Sequence, residues 1–306
     1  MPIVSVNIPC YNSVAHLRET IDSVLCQTLE DIEVIIIDDG SSDDTGEIVA
    51  SFKDARIQYH YQDNKGLPGA RNKALEMSRG KYIAFLDHDD IWLPTKLQKQ
   101  VRLLESDANV GLIYSNYFCL FPNGKRKIVL KGPQPHGNAF EGFLCRYPVG
   151  ILTAVVRKKA IDDLGLSFDE GVTLCEDYDY FIRLAHGTKV AYIQEPLALY
   201  RIHAGMQSIK FGDRYSREVA YIVDKLKKSY PDLEGRYADA MSHVSSMIDL
   251  MRAKTALVAT DPLKARDILA KTRWTSHDFF LLYCASYMPH KVLKLLKRFS
   301  AQRIDG

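Results

Sequence analysis

The chain has no apolar run of about 18 residues, the length that a membrane-spanning helix needs. Its opening stretch, MPIVSVNIPCYN, lacks the basic segment and apolar core of a secretion signal. Six cysteines, at 10, 26, 119, 145, 175 and 284, show no CxxC or CxH spacing, so neither a zinc site nor a disulfide framework is expected. The 40 Lys and Arg nearly balance the 38 Asp and Glu, and a net charge of +2 argues against a dedicated nucleic-acid binder. No internal repeat or low-complexity tract is read. What remains is 306 residues, 46% hydrophobic and 25% charged. That composition suits a globular core, with one large domain and an appendage, in a reducing cytoplasm.

The first hundred residues alternate between two hydrophobic periods. IVSVNIP (3–9), IEVIIID (32–38), RIQYHY (56–61) and KYIAFL (81–86) read as strands. IEVIIID is continuous and β-branched, as in a strand covered on both faces. Residues 17–29 put Leu17, Ile21, Val24, Leu25 and Leu29 on one helical face, with Asn12 and Ser13 as candidate caps. Residues 45–52 resume helical spacing, 66–80 read as a glycine-rich loop followed by a helix, and 94–105 as a helix opened by Pro94. Alternating strands and helices predict an α/β fold, a mostly parallel sheet flanked by helices. Beyond it, 110–121 and 190–203 read as strands, 128–140 as a Pro/Gly-rich loop, 150–161 as a strand entering a helix, and 178–185 as a helix after an acidic loop. From about 213 the pattern is helical, with Asp261–Pro262 as a helix start. The expected domains are 1–212, with a nucleotide half of about 1–105 and an acceptor half of about 106–212, and a helical C-terminal region, 213–306.

Ligands of such sheets bind beyond the carboxyl ends of the strands. Three polar clusters fall there: Pro9–Cys10–Tyr11–Asn12, Asp38–Asp39–Gly40–Ser41 and Asp87–His88–Asp89–Asp90. The last places three carboxylates in four residues, and like charges that close need an offsetting cation or bulk water. Acids at a helix start would account for it. So would a Mg²⁺ or Mn²⁺ site that uses one or two carboxylates and leaves other positions to phosphate oxygens. Asp39 at a sheet end suits base or ribose recognition, or an ordinary turn. Arg71, behind Gly66 and Gly69, brings a fork of donors suited to phosphate, or sits in a plain flexible loop. In CEDYDYFIRL, Glu176, Asp177 and Asp179 offer a general base or a helix cap, and YRIH adds Arg201 and His203.

SVNIPCYN, QTLEDIEVIIIDDGSSDDT, GLPGARNKAL, GKYIAFLDHDDIWLPTKLQKQV, CEDYDYFIRL and YRIH, taken in order, resemble the family 2 glycosyltransferases of GT-A fold over roughly residues 3–205. The resemblance implies an inverting enzyme that moves a sugar from a nucleotide diphosphate donor, a UDP-sugar by preference, to a hydroxyl of a glycan or lipid-linked acceptor. It implies cell-surface polysaccharide or lipopolysaccharide synthesis and dependence on Mn²⁺ or Mg²⁺. Pro9, Tyr11 and Asp39 match the positions that hold the donor base. Arg71 matches the arginine of the donor loop. Asp87 and Asp89 match the D-x-D pair, on the ribose side and at the metal. Asp177 matches the catalytic base, and His203 sits where some members complete the metal and diphosphate site. His88 stands where a small residue is frequent. A sugar nucleotidyltransferase would want a basic glycine-rich N-terminal loop that NIPCYNSVAHL lacks, and a non-catalytic sugar-nucleotide-binding module would be expected to have lost Asp89 or Asp177.

The last segment, MPHKVLKLLKRFSAQR, sets Val292, Leu295, Leu296 and Phe299 against a basic remainder. Over 289–303 it reads as a helix for an anionic membrane surface, at the inner face of the cell membrane, or as one packed on the protein with solvated lysines.

Overall fold

The computed structural model describes residues 1–203, 212–259 and 261–272, with 281, 283, 284, 286 and 287. The chain divides into two compact units, Met1–Met206 and Gln207–Gly306.

The first unit opens with β1 (Val4–Cys10), α1 (Leu17–Leu25), β2 (Ile32–Asp38), α2 (Thr45–Ala50), β3 (Ile57–Tyr61), α3 (Gly66–Met77) and β4 (Tyr82–Phe85). These four strands lie in the order β3-β2-β1-β4, all parallel. The register is regular. Cys10 pairs with Asp38, and Asn7 with Phe85, so the polar clusters after β1, β2 and β4 emerge at one edge. All of β1 and β2 is buried. Val4, Val6, Ile8, Val34 and Ile36 form one core with Leu17, Ile21 and Val24 of α1. Each such side chain taken fully from water contributes ~1.5–3 kcal/mol.

Next come β5 (Ile91–Trp92), α4 (Lys96–Ser106), β6 (Val110–Leu120), β7 (Arg126–Ile128), α5 (Phe140–Cys145), a tight helical turn at Ile151–Thr153, β8 (Val155–Arg157), α6 (Lys158–Leu164), α7 (Glu176–Gly187) and β9 (Lys189–Arg201). They extend the sheet as β4-β8-β6-β9-β5, with β7 beside β6. The sheet is parallel in its first four strands and mixed beyond them: β8 runs antiparallel to β4 and β6, β5 to β9 and β7 to β6, while β6 and β9 are parallel. The β6–β7 pair is a hairpin, closed by Phe121 N–H to Lys125 O at 2.9 Å, with Gly124 at φ +77°. A left-handed φ of this kind is what glycine supplies in a turn.

Several local expectations are corrected. Ser13 does not cap α1: its hydroxyl accepts from Tyr11 N–H at 3.0 Å. Asn12 bridges to the next loop instead, its Oδ1 accepting from Ser42 N–H at 2.9 Å. His16 stands at the cap position without a side-chain bond. The glycines at 66 and 69 lie in the first turn of α3 rather than in a loop before it. α7 begins at Glu176, so the acids of CEDYDYF occupy its first turn. α4 begins two residues after Pro94. The two-residue β5 is too short to show a period.

In the second unit α8 (Gly212–Ser229), α9 (Leu233–Arg236), α10 (Ala238–Val258) and α11 (Pro262–Lys271) are helical. Asp261 caps α11 by accepting from Lys264 N–H at 3.0 Å, as its place before Pro262 suggests. No helix among the described residues is long and apolar enough to cross a membrane. The segment 289–303 lies outside the described residues.

Ile36 is fully buried in the central core. Ile36→Ala is expected to cost ~2–5 kcal/mol, read as a lower urea midpoint with unchanged slope.

Candidate active site

At the β1 and β2 ends, the loops interlock before any ligand is considered. Asp38 accepts from Ser41 N–H at 2.9 Å and from the Tyr59 hydroxyl at 2.6 Å, which makes it a loop-fixing residue. Asp39 is buried, and its Oδ1 accepts from Lys65 N–H at 2.9 Å and from the Gln62 side-chain amide at 2.7 Å. Two donors on one oxygen fix the carboxylate plane. Pro9 is buried in β1, and Tyr11 beyond it is 50% exposed. Tyr11 thus follows the strand end that is tied to Asp39, whose N–H donates to Cys10 O at 2.9 Å.

The loop after β4 separates its three acids by partner. Asp87 Oδ1 accepts from Arg71 Nη2 at 2.7 Å. Asp89 Oδ2 lies 2.8 Å from His203 Nε2. Asp90 is buried; its Oδ1 accepts from Arg201 N–H at 3.0 Å and its Oδ2 has no hydrogen-bond partner. Burial, followed by the charges of Asp89 and Asp87, pushes the Asp90 carboxyl well above the usual range. A carboxyl pushed toward its neutral form adds less to the repulsion among the three acids. Arg201 also donates from Nε to Asp89 O at 2.9 Å and pairs with Glu19 of α1. The Thr20 hydroxyl reaches His88 O at 2.9 Å and Asp90 O at 2.8 Å. The loop is therefore held from α1 and from β9.

Arg71 has a different place from the one its sequence position suggests. Its side chain is only 2% exposed, and its two terminal nitrogens bind Asp87 and Glu176. The guanidinium carbon lies 5.5 Å from the Phe168 ring centre. The fork therefore joins the loop after β4 to the first turn of α7, and the terminal nitrogens are already engaged by carboxylates.

Asp177 follows Glu176 in that turn, half-buried, its Oδ1 accepting from Tyr178 N–H at 2.7 Å. Desolvation, then the neighbouring Glu176 charge, pushes its carboxyl up to about 7, with Arg71 opposing. A carboxylate in that range can accept a proton near neutral pH and release it again. Asp179, the other acid of this turn, is fully buried on Arg183 at 2.6 Å and serves the packing of α7.

Asp87, Arg71 and the Glu176–Asp177 turn thus form one connected group, Asp89 and His203 a second, and Pro9, Tyr11 and Asp39 a third at the neighbouring strand ends. The residues that orient them, Gln62, Thr20 and Glu19, carry no motif. Only Arg201, beside His203 in YRIH, had a sequence signal.

The residues fit a divalent cation in one respect. Among the described residues no set of three His, Cys, Asp or Glu side chains could hold a metal ion. Asp89 and His203 offer one oxygen and one nitrogen donor. Such a site needs diphosphate oxygens and water for its remaining positions, which is how Mg²⁺ and Mn²⁺ sites on phosphate substrates are commonly built.

Comparison with known proteins shows the family and the fold. The model of the family "Glycosyl transferase family 2" matches residues 5–165. An Escherichia coli protein, UDP-Glc:alpha-D-GlcNAc-diphosphoundecaprenol beta-1,3-glucosyltransferase WfaP, is 33% identical over 213 residues, covering 68% of this chain and 80% of that one. The E. coli enzyme WfgD, of the same described activity, is 33% identical over 192 residues, covering 62% and 73%. An uncharacterized glycosyltransferase of Rickettsia prowazekii, RP339, is 31% identical over 208 residues; the match covers 66% of this chain and 65% of that protein's length. Among solved structures, S. aureus TarS 1-349 in complex with UDP-GlcNAc superposes with a TM-score of 0.67 at 19% identity, covering 100% of this chain and 89% of that one. A Pyrobaculum calidifontis mannosyltransferase in complex with GDP-Man and Mn2+ gives 0.63 at 17% identity, covering 97% and 84%. At those identities the likeness is one of fold, the GT-A fold. The chain belongs to glycosyl transferase family 2 and is a glycosyltransferase.

Arg71→Met would leave Asp87 and Glu176 facing each other without their cation. Breaking a buried pair from one side costs ~3–5 kcal/mol. Arg71→Lys keeps the charge but lacks the two-pronged geometry, so its loss should be intermediate. Urea unfolding of the three proteins checks the order.

Proposed function

We propose that the chain is an inverting transferase that moves a sugar from a UDP-sugar to a hydroxyl of a lipid-linked diphosphate glycan, at a step of cell-surface polysaccharide assembly. The observation that carries this reading is Asp177, held in the first turn of α7 with its carboxyl pushed up to about 7 and tied through Glu176 and Arg71 to Asp87. The names of the E. coli relatives support a UDP-sugar donor and a diphosphate-lipid acceptor.

In this reading Pro9 and Tyr11 pack on the base, and the Asp39 oxygen not taken by Lys65 and Gln62 accepts from it. Asp87 faces the ribose side, fixed there by Arg71. Asp89 and His203 would hold Mn²⁺ or Mg²⁺. Such an ion, when bound, offsets the charge that grows on the diphosphate as the sugar leaves. Asp177 takes the proton of the acceptor hydroxyl while the acceptor oxygen bonds to the anomeric carbon and the electron pair of the broken bond leaves with the nucleoside diphosphate. A transition state with oxocarbenium character is expected, as in glycoside hydrolysis. One displacement on the face opposite the leaving group inverts the anomeric centre, and a single carboxylate suffices. The enzyme would work at the cytoplasmic face of the membrane, where a lipid-linked acceptor is presented.

Calorimetric titration of UDP and GDP, each with and without Mn²⁺, tests the donor site. Metal-dependent UDP binding that is lost in Asp89→Ala is the expected result. Selective GDP binding would replace the donor class, and a folded protein that binds neither nucleotide would overturn the donor assignment.

Asp177→Asn should keep UDP affinity and lower turnover ~10²–10⁴-fold, the usual worth of general base catalysis. Wild-type turnover in that variant would remove Asp177 from the mechanism.

The pH dependence follows from the direction of the shift. The base must be ionised, so kcat/KM should fall below about pH 7 as Asp177 gains a proton. The folded value lies above the unfolded one. The stability contributed by neutral Asp177 is therefore fully present below about pH 4 and is lost as pH rises to about 7. Asp177→Asn should accordingly be more stable than wild type at about pH 8, with the gap closing in acid. Thermal melts at both pH values check the sign.

A further inference from the structure

Tyr147 lies between α5 and β8, in a stretch with no role in the donor site described above. Its ring is held edge-on by two neighbours, Tyr178 at 4.9 Å and Phe143 at 6.0 Å between ring centres. That packing fixes the direction of the C–O bond. The hydroxyl oxygen is buried and has no hydrogen-bond partner among the described residues. It faces the carboxyl groups of Asp177 and Glu176, whose charges add to burial in pushing the phenol up, Asp177 the more strongly. Asp177 acts on the hydroxyl as a hydrogen-bonding neighbour as well as through its charge, although the contact is not aligned as a full hydrogen bond.

A buried donor left unpaired costs ~1–3 kcal/mol. The terminal torsion of an aspartate is broad, so a modest rotation of the carboxylate closes the gap at little cost. Both acids in reach have an oxygen to spare: Glu176 gives Oε1 to Arg71 and keeps a buried, unpaired Oε2, while the Tyr178 amide takes only Oδ1 of Asp177. Asp177 acts on the phenol more strongly than Glu176 and alone as a hydrogen-bonding neighbour, which favours its Oδ2 as the acceptor.

We propose that Tyr147 is a positioning residue for Asp177: its phenol hydroxyl donates to Oδ2 of the ionised carboxylate and sets the plane in which that carboxylate meets an acceptor hydroxyl. The proposal rests on the reading of Asp177 as the base. The other charged or titratable groups around Asp177 are Glu176 beside it, Arg71 of α3, Asp87 after β4 and Tyr117 of β6. Arg71 favours the ionised form, and Glu176 and Asp87 oppose it. Burial opposes it as well, so the phenol supplies a donor that the turn of α7 lacks for the second oxygen.

The test is a carboxyl ¹³C NMR titration of the full chain labelled at aspartate, with the Asp177 signal assigned by its loss in Asp177→Asn. Tyr147→Phe removes a single oxygen and keeps the ring. It should raise the Asp177 midpoint by about half a unit or more, because a bond to the charged form is lost, and leave the melting temperature within about 2 °C. The acid limb of kcat/KM should move upward by the same amount. An unmoved midpoint would assign the hydroxyl to Glu176 or to water and overturn the proposal. A large fall in melting temperature would make Tyr147 a packing residue and overturn it too. The midpoint is read without turnover. A shifted midpoint in a protein that transfers no sugar would count against the function and not against this contact.

Discussion

The forked guanidinium of Arg71 is the contact on which the arrangement of the site depends. It sits nearly out of water, with Asp87 on one terminal nitrogen and Glu176 on the other. These acids come from segments almost ninety residues apart, one after the parallel half of the sheet and one at the start of a helix within its mixed half. No apolar packing could set their separation so closely, because two carboxylates repel without a cation between them. A lysine could neutralise one of them. Only a planar group with two outward N–H edges holds both in a fixed relation. The fork thus couples the part of the chain assigned to the donor with the part assigned to the acceptor, and it aims Asp177, the next residue along.

The same constraint explains how DHDD tolerates its own charge. Each acid has a separate answer: a buried guanidinium for Asp87, an imidazole for Asp89 and burial toward the neutral form for Asp90. Metal and phosphate alone, the offset that the sequence suggests, would leave the three in mutual repulsion whenever the site stood without a donor. The protein instead holds the loop through its own contacts and leaves one acid, Asp89, beside the imidazole of His203. Arg201 reinforces the loop from β9 and Glu19 from α1.

Much of this was legible in the sequence because strand ends are legible. An apolar run of period two or a β-branched run, followed by a polar cluster, marks the carboxyl edge of a parallel sheet, and Asp39, Asp87 and Asp89 stand at such edges. The family pattern then supplied Asp177 and His203. What the sequence does not spell out depends on contacts between distant segments. Arg71 reads as a phosphate ligand on a glycine-rich loop. Those glycines in fact open a helix, and its next turn carries the guanidinium inward. β5 is a strand only because Leu199 and Ala198 of β9 lie beside it. Gln62, Thr20 and Tyr147 belong to no motif, since what each does is set by the oxygen it faces.

The two carboxylates assigned to the chemistry, Asp89 and Asp177, have opposite surroundings. Asp89 has an imidazole beside it and its backbone carbonyl tied to Arg201, so its side chain is held by one partner, His203. Asp177 has a like charge at its side and little water, which brings its carboxyl into the range where a proton is taken and returned at neutral pH. The first arrangement suits holding a cation and the second suits moving a proton. Exchanging the two environments would leave the sequence motifs intact and remove both capacities, so in this fold the pattern of acids matters less than the cations and apolar rings placed around each one.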